Sequence, residues 1–269
     1  MAIHFFNKNN TKLSDYFQLS APQLINGYTY SFYSLILRIP DDLDLSQVKS
    51  ISSFFQGMQS IKHIPNLDIS KFTSAEYMFG NCKNLQDIPF LDTSNITTTA
   101  NMFGSCYSLE TIPLLDTSKC KDMSHMFQDC ESLKTIPLLN TSNNKNFSLF
   151  VGMADRSKGS LIELPNLDTK SGTNFYGMCK KQSSLTTVPV FNLSNVSSTY
   201  NIKDMFYGCT SLSDESLNNI MSTLLTASFP TGTSNKTLSH IGLTAQQATK
   251  CTTLSNYQAL VDAGWTTGY

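Results

Sequence analysis

The sequence is poor in charge and lacks the long apolar and basic runs that accompany membrane or nucleic-acid functions. Charged residues make up 14% of its 269 residues, against about 25% in a typical soluble domain. The formal net charge is −1 and no Lys/Arg-rich run occurs, so a nucleic-acid partner is not expected. No stretch approaches about 18 consecutive apolar residues, which argues against membrane insertion. The N-terminal stretch MAIHFFNKNNTKLSDYF has no basic segment followed by an apolar one, so we expect no secretory signal.

Signatures of catalysis are also missing from the sequence. It contains no G-x-S-x-G motif, no P-loop and no H-E-x-x-H motif. The four histidines are scattered and share no motif: His4, His63, His125 and His240. A nucleophile needs a base within hydrogen-bond reach and a third group that orients this base. We therefore expect a protein that is not an enzyme, with no catalytic residues and no cofactor.

What the sequence does contain is one phrase that occurs three times in succession. MFGNCKNLQDIPFLDTSN occupies residues 78–95, MFGSCYSLETIPLLDTSK follows at 102–119, and MFQDCESLKTIPLLNTSN at 126–143. The same spacing extends over a longer series of prolines: Pro40, Pro65, Pro89, Pro113, Pro137, Pro165 and Pro189. Most steps are 24 residues, and the longest contains the insertion VGMADRSKGS. Such a period predicts a stack of structural repeats.

Apolar residues recur four before, one before and two after each proline, as Leu109, Ile112 and Leu115 do around Pro113. One repeat cannot bury its apolar face alone, whereas stacked repeats bury a continuous core. The L-x-x-I segment is too short for a helix and ends at a proline, which cannot donate to a strand ladder. The sequence therefore predicts an α/β repeat solenoid over residues 30–212, with one short parallel strand per repeat of about 24 residues.

Both ends of the chain break the period. For residues 1–29 we predict an N-terminal cap or attachment segment built on Phe5, Phe6, Tyr16, Phe17 and Ile25. An aromatic patch follows at Tyr28, Tyr30, Phe32 and Tyr33. The segment SDESLNNIMSTLLTA begins with the N-cap-type Ser213 and spaces its apolar residues helically. Two shorter helical patterns follow near 244–252 and 255–263, so residues 213–269 are predicted to form a helical C-terminal cap.

A cysteine column accompanies the repeat. Cys82, Cys106 and Cys130 share one position, and Cys209 also fits it. Neither C-x₂₋₄-C spacing nor neighbouring histidines are present, so the column predicts buried thiols that fill space rather than bind a metal. The total of seven cysteines is odd, which argues against a disulfide framework.

An acidic column follows the proline and consists of Asp44, Asp68, Asp92, Asp116 and Asp168. Carboxylates at this spacing could ligate calcium. However, Asn140 and Asn192 occupy the same column, so the position needs a hydrogen-bond acceptor rather than a charge. We therefore favour turn formation over a metal site at this column.

The two positions between the leucine and the isoleucine of L-x-x-I are expected to point outward. They form the candidate binding face: Lys62, His63, Gln86, Asp87, Glu110, Thr111, Lys134, Thr135, Thr186 and Thr187. This array is polar, mixed in charge and without aromatic residues, whereas sugar-binding grooves commonly stack sugar rings on Trp or Tyr. It therefore favours protein recognition or packing within an assembly over glycan binding. A solvated face without a partner is the alternative.

The repeat resembles the BspA-like leucine-rich repeats of bacterial surface proteins, in the variant rich in LDTSNVTDMSxMFxxCxSLxxIP. It is matched by LDTSNITTTANMFGSCYSLETIP at 91–113 and LDTSKCKDMSHMFQDCESLKTIP at 115–137. The resemblance implies a leucine-rich repeat fold and a role among adhesins, surface proteins of unknown role, or parts of mobile and prophage elements. The C-terminal LTAQQATKCTTLSNYQALVDAGWTTGY resembles the C-termini of tail and fibre proteins of phages from gut Firmicutes.

These resemblances imply a non-enzymatic structural or interaction protein. We expect first a phage virion fibre or adhesin component that contacts other virion proteins or a cell-surface receptor, either a protein or a glycan. The alternative is a bacterial cell-surface or secreted adhesin that binds a host protein or glycan. The expected location is accordingly the virion, or else the bacterial surface or the extracellular space. A homo-oligomer is compatible with both assignments.

Overall fold

The computed structural model describes residues 24–25, 28–29, 39, 41–154, 157–230 and 232–269. Two short strands, β1 (Leu24–Ile25) and β2 (Tyr28–Thr29), form an antiparallel pair. A 3-10 helix spans Thr199–Ile202. Three α-helices follow: α1 (Asp214–Leu225), α2 (Ala245–Cys251) and α3 (Tyr257–Asp262). Turns and extended segments make up most of the described chain before the 3-10 helix.

The N-terminal predictions fall almost entirely outside the described residues. This applies to the cap residues and the patch residues alike: Phe5, Phe6, Tyr16, Phe17, Tyr30, Phe32 and Tyr33. For Ile25 and Tyr28 only the strand assignment is described. The cap over residues 1–29 stays a prediction.

The predicted fold class, an α/β solenoid with one parallel strand per repeat, is wrong. In the described part of the chain the L-x-x-I segments contain no strand, and parallel pairing between repeats is confined to isolated single-residue bridges such as Ser74 with Thr98. Where two neighbouring L-x-x-I segments meet, the N–H of Glu110 donates to the carbonyl oxygen of Gln86 at 2.9 Å. Pro113 follows three residues later without an N–H group, so the segment is too short to extend this bond into a ladder.

Most of the backbone pairing between repeats lies in the turns that carry the M-F-x-x-C motif. The N–H of Tyr77 donates to the carbonyl oxygen of Ala100 at 3.0 Å, and that of Phe79 donates to Met102 at 2.9 Å. Between them, the N–H of Met78 closes a local turn within its own repeat. Successive N–H groups therefore alternate between a bond to the next repeat and a bond within the turn. Few backbone donors of the turn are left unpaired as a result.

Two positions in most of these turns adopt positive φ, where the backbone is left-handed. In one repeat they are Asn101 at 55° and Ser105 at 62°, and in the next they are His125 and Asp129, both at 57°. Glycine and short polar residues tolerate this conformation best, and β-branched residues tolerate it worst. The described repeats place no β-branched residue at these left-handed positions.

The apolar columns form the core, as predicted. The column that contains Leu109 is buried in every described repeat, and Ile112 is a half-buried exception in the column before the proline. The phenylalanines of M-F-x-x-C stack from repeat to repeat. Ring centroids lie 5.7 Å apart for Phe79 and Phe103 and 5.8 Å apart for Phe103 and Phe127, with nearly parallel planes. These distances fit offset stacking, which aromatic pairs prefer over face-to-face overlap.

The three C-terminal helices lie where the sequence predicts them. The Ser213 hydroxyl caps α1 by accepting the N–H of Ser216, and Gly264 follows α3 with a φ of +83°. Helix α1 packs on the last repeat through its polar side chains as well as its apolar ones. The hydroxyl oxygens of Ser216 and Thr223 accept the N–H groups of Val188 and Phe191, each at 2.9 Å. In the other repeats such N–H groups can bond to the next repeat. Here α1 takes the place of a next repeat and accepts them through its side chains.

Candidate interaction surface

After each proline the chain forms a turn, which an Asp or Asn side chain closes by accepting a backbone N–H two residues later. The Oδ1 atom of Asp116 accepts the N–H of Ser118 at 2.9 Å, and Asn140 makes the same bond with Ser142. Equivalent bonds occur at Asp44, Asp68, Asp92, Asp168 and Asn192. The acceptor role predicted for this column is confirmed. Among the described residues, no three or more His, Cys, Asp or Glu side chains are grouped to hold a metal ion.

These bonds also lower the pKa of three carboxylates in the acidic column. The hydroxyl and the N–H of Ser70 lower the pKa of Asp68, and Ser94 does the same for Asp92. Ser118 likewise lowers the pKa of Asp116. The charged carboxylate is the better acceptor, so the turn favours the ionised form.

The cysteine column is buried, as predicted, and all seven cysteines are free thiols. The Sγ atom of Cys106 donates to the carbonyl oxygen of Phe79 at 3.2 Å, and Cys130 donates to Phe103 at 3.3 Å. Burial raises the pKa of Cys82 and of Cys209 to about 12. These thiols join neighbouring repeats and have little nucleophilic character.

The ten residues of the predicted binding face reach the surface on successive repeats. Gln86, Asp87 and Thr186 are half-buried and the other seven are exposed. The structure brings one histidine and one carboxylate of this face together, because Nδ1 of His63 lies 2.9 Å from Oδ1 of Asp87 in the next repeat. The hydroxyl of Thr186 donates to the carbonyl oxygen of Ile162, which holds this side chain in place.

Three exposed apolar residues on this face are missed by the sequence reasoning. Phe90, Leu114 and Leu138 follow the proline in three consecutive repeats, and 69%, 60% and 61% of their surfaces are exposed. We call these three residues the apolar stripe. The ten predicted positions are polar and without aromatic residues, whereas the apolar stripe adds three exposed apolar side chains next to them in the sequence. The sequence does contain a sign of the stripe, because an apolar residue directly follows three successive prolines. Each of these residues precedes a leucine of the buried column, such as Leu115.

The repeat architecture explains the position of the apolar stripe. Leu91, Leu115 and Leu139 follow the stripe residues directly and are buried in the core. Successive side chains of an extended segment point to opposite sides, so the residues before these leucines face solvent. Asn66 and Asn166 occupy the equivalent positions in the flanking repeats, so the series of apolar residues after the proline stops there.

Charged side chains lie in the same repeats as the stripe residues. Glu110 and Lys134 are exposed and lie three residues before the prolines that precede Leu114 and Leu138. The surface thus combines exposed apolar side chains with exposed charges of both signs. This arrangement suits recognition of a protein surface, where apolar contacts supply affinity and the rim supplies specificity.

The repeat sequence places the chain in a known family. Residues 31–139 and 161–229 match the family described as Mycoplasma protein of unknown function, DUF285, and the chain belongs to it. This is a family of BspA-like repeat surface proteins, in agreement with the resemblance of the repeat. No curated protein and no solved structure matches the chain. Within the described residues, no helix is both long and apolar enough to span a membrane.

Proposed function

We propose that this chain is a non-enzymatic surface protein that binds a protein partner along its repeat face. The observation that carries the proposal is the apolar stripe, because a contiguous exposed apolar patch rimmed by polar residues is typical of an interaction site. Membership in a surface-protein family supports the same assignment. The rigid stack of repeats presents the stripe with little conformational entropy left to lose on binding.

The chemistry of the face favours a protein over a glycan as the partner. Consecutive repeats lie about 5 Å apart, so the three stripe residues span about 10 Å along the stack. Phe90 is the only aromatic residue of the stripe, whereas the aliphatic Leu114 and Leu138 suit an apolar protein surface. Glu110 and Lys134 offer charges of both signs for a complementary rim.

Binding of the labelled protein to intact cells tests this function. We expect measurable binding to mammalian or bacterial cells that is lost after the cells are treated with trypsin. Replacing the stripe in a triple variant, Phe90→Ser, Leu114→Ser and Leu138→Ser, should weaken this binding at least about tenfold. Val261→Ser is the matched control, since Val261 is exposed on α3, away from the repeats. Equal binding of the triple variant and the wild type would refute the proposal.

A second candidate is a phage virion fibre, which the C-terminal resemblance of residues 243–269 supports. Purified particles from the source strain provide the test, with detection of the chain by mass spectrometry after gradient sedimentation. Co-sedimentation with particles assigns the protein to a virion, and recovery only with cell envelopes assigns it to the bacterial surface. The stripe serves protein binding in both settings.

A further inference from the structure

The face that carries the apolar stripe holds opposite charges in its two central repeats. Six successive repeats contribute to this face, and their prolines are Pro65, Pro89, Pro113, Pro137, Pro165 and Pro189. Glu110 of the third repeat and Lys134 of the fourth occupy the same position of L-x-x-I, and both are exposed. Just before these residues, the N–H of Ser132 donates to the carbonyl oxygen of Tyr107 at 3.1 Å. The two segments therefore lie side by side and carry one charge of each sign.

The same two repeats carry most of the apolar stripe. Leu114 and Leu138 are exposed, and the proline before each of them is half-buried, so each repeat presents two successive apolar residues to solvent. Phe90 and Pro89 continue this surface in the second repeat. Val190 occupies the same position in the sixth repeat, with 44% of its surface exposed. A partner that covers this face must therefore offer apolar groups together with charges of both signs.

A second copy of the chain offers such a surface. In an interface with two-fold symmetry the same surface of both copies takes part, and each contact occurs twice. Consider an axis that lies in the interface, runs along the L-x-x-I segments and passes between the third and fourth repeats. It reverses the order of the repeats, so Glu110 faces Lys134 of the second copy and Lys134 faces its Glu110. Leu114 and Leu138 face each other across the same axis.

We propose that the partner of the repeat face is a second copy of this chain, bound antiparallel through the apolar stripe. This inference rests on the proposed function and names its protein partner. The cell-surface protein that the labelled chain binds is then another copy of the same chain, so cells that display the chain adhere to one another.

Other registers lose the charge complementarity. An axis through the third repeat would place Glu110 against its own copy, and an axis one repeat earlier would place two lysines against each other. In the central register, the outer pairs of this column are Gln86 with Ile162 and Lys62 with Thr186. No like charges meet in this column, so the charges select the central register.

The neighbouring column contains one like-charged contact in this register. Asp87 faces Glu163 of the second copy, whereas the neutral Thr111 and Thr135 face each other near the axis. In its own chain, Oδ1 of Asp87 lies 2.9 Å from Nδ1 of His63, so this carboxylate already has a hydrogen-bond partner. The contact also lies farther from the axis than the central pair, where solvent screens charges more strongly. It makes the dimer weaker without favouring another register.

The size of the face predicts a reversible dimer. Six repeats about 5 Å apart span about 25 Å along the stack, and the motif L-x-x-I-P-x-L spans about 20 Å across it. Complete contact would cover about 500 Å² on each copy, or about 1,000 Å² in total. Stable complexes bury about 1,200–2,000 Å², and transient ones bury less. We therefore expect a dissociation constant in the micromolar range.

Sedimentation velocity of the full chain between about 1 and about 100 µM tests the proposal. We expect the wild type to change from monomer to dimer over this range. Glu110→Lys and Lys134→Glu should each weaken the dimer at least about tenfold, because each variant places like charges at both central contacts. An equimolar mixture of these two variants should restore association to within about threefold of the wild type. Only the mixed pair has opposite charges at both contacts.

Two further variants serve as controls. Lys145→Glu reverses an exposed lysine outside the L-x-x-I segments and should leave the dissociation constant within about twofold of the wild type. Glu163→Gln removes the like-charged contact and should strengthen the dimer. The triple stripe variant should remain monomeric.

Three results would each overturn the second copy as partner. These are a wild type that stays monomeric at about 100 µM, single charge reversals that dimerise as the wild type does, and a mixture that associates no better than the separate variants. A monomeric chain that still binds cells through the stripe would overturn this inference and leave the proposed function intact. Equal cell binding by the triple stripe variant and the wild type would instead refute the proposed function.

Discussion

The hydroxyl of Thr117 donates to the carbonyl oxygen of Asn140 in the next repeat, at 2.8 Å. Asn140 uses its own side chain to close the turn at Ser142, so one residue accepts from two repeats at once. Thr93 makes the same bond to Asp116 at 2.9 Å. The D-T-S motif thus combines two tasks, because its Asp or Asn shapes the turn and its Thr joins the turn to the next one.

This relationship predicts the effect of removing the threonine hydroxyl. Thr117 is buried, so Thr117→Val leaves the Asn140 carbonyl without its partner at nearly constant side-chain volume. We expect the free energy of unfolding to fall by about 1 kcal/mol in urea denaturation. Thr111→Val is the control, since Thr111 is exposed, and it should change stability by less than about 0.5 kcal/mol. Equal effects of the two variants would contradict this role.

A substitution in the buried leucine column should reduce the free energy of unfolding more than Thr117→Val does. Leu109 is fully buried between equivalent leucines of the neighbouring repeats, so Leu109→Ala removes apolar contacts and leaves a cavity. The expected cost is about 2–5 kcal/mol of unfolding free energy. Glu110→Ala, on the exposed side of the same segment, should have little effect on thermal unfolding. A shift for Leu109→Ala no larger than that for Glu110→Ala would refute the assignment of the column.

The acidic column predicts a loss of stability in acid. Asp68, Asp92 and Asp116 have lowered pKa values in the folded protein, whereas in the unfolded chain they titrate near about 3.9. Below this pH the unfolded chain binds more protons, so stability decreases as the pH falls from about 4 through the folded pKa values. Replacing all three with asparagine should flatten this decrease, with folding retained at pH 7 as it is with Asn140.

Urea denaturation between about pH 2.5 and pH 7 measures this dependence. Glu110→Gln serves as the control, because it removes one exposed carboxylate outside the turns. The free energy of unfolding of the triple variant could instead fall with decreasing pH as steeply as that of the wild type. That result would show that these turns do not couple to protonation.

The buried thiols predict slow chemical modification. Burial raises the pKa of Cys120 and of Cys251 to about 11 and that of Cys82 to about 12. At pH 8 the thiolate fraction is then at least about a hundredfold below that of a free cysteine, whose pKa is near 8.5. Ellman's reagent should therefore react slowly with the folded protein and quickly with all seven thiols in denaturant. Rapid release of colour from the native protein would contradict the burial of these thiols.

Sequence reasoning succeeded where one side-chain property decides the position. Leu109 and Cys106 recur at a fixed period, and an apolar side chain in every repeat is stable only if the repeats stack. Asn140 in place of aspartate identified the acceptor role, because an amide oxygen closes the same turn without a charge. The C-terminal helices were also predictable, since Ser213 and the apolar spacing after it are local signals.

Sequence reasoning failed where the backbone path decides. The L-x-x-I segments have the composition of strands, but the residues before Pro113 pair too briefly with the neighbouring repeat to form one. Phe90 carries no repeat signal, because the residue directly after the proline differs between repeats, as Asn66, Phe90 and Leu114 show. The close packing of Gly242 against the backbone of Tyr207 had no sequence signal either, since the two residues lie far apart along the chain.

The period, the buried columns, the turn acceptors and the C-terminal helices can all be predicted from the sequence. Each of these depends on the side chain at one position and on its spacing, which are properties of the chain before it folds. The folded structure is needed to show which backbone groups join the repeats, that Phe90 faces solvent, and that Gly242 packs closely against Tyr207. Backbone N–H and carbonyl groups are nearly identical in all residues, so the sequence does not show which of them pair. That choice follows from the left-handed turns and from close packing, which exist only in the folded protein.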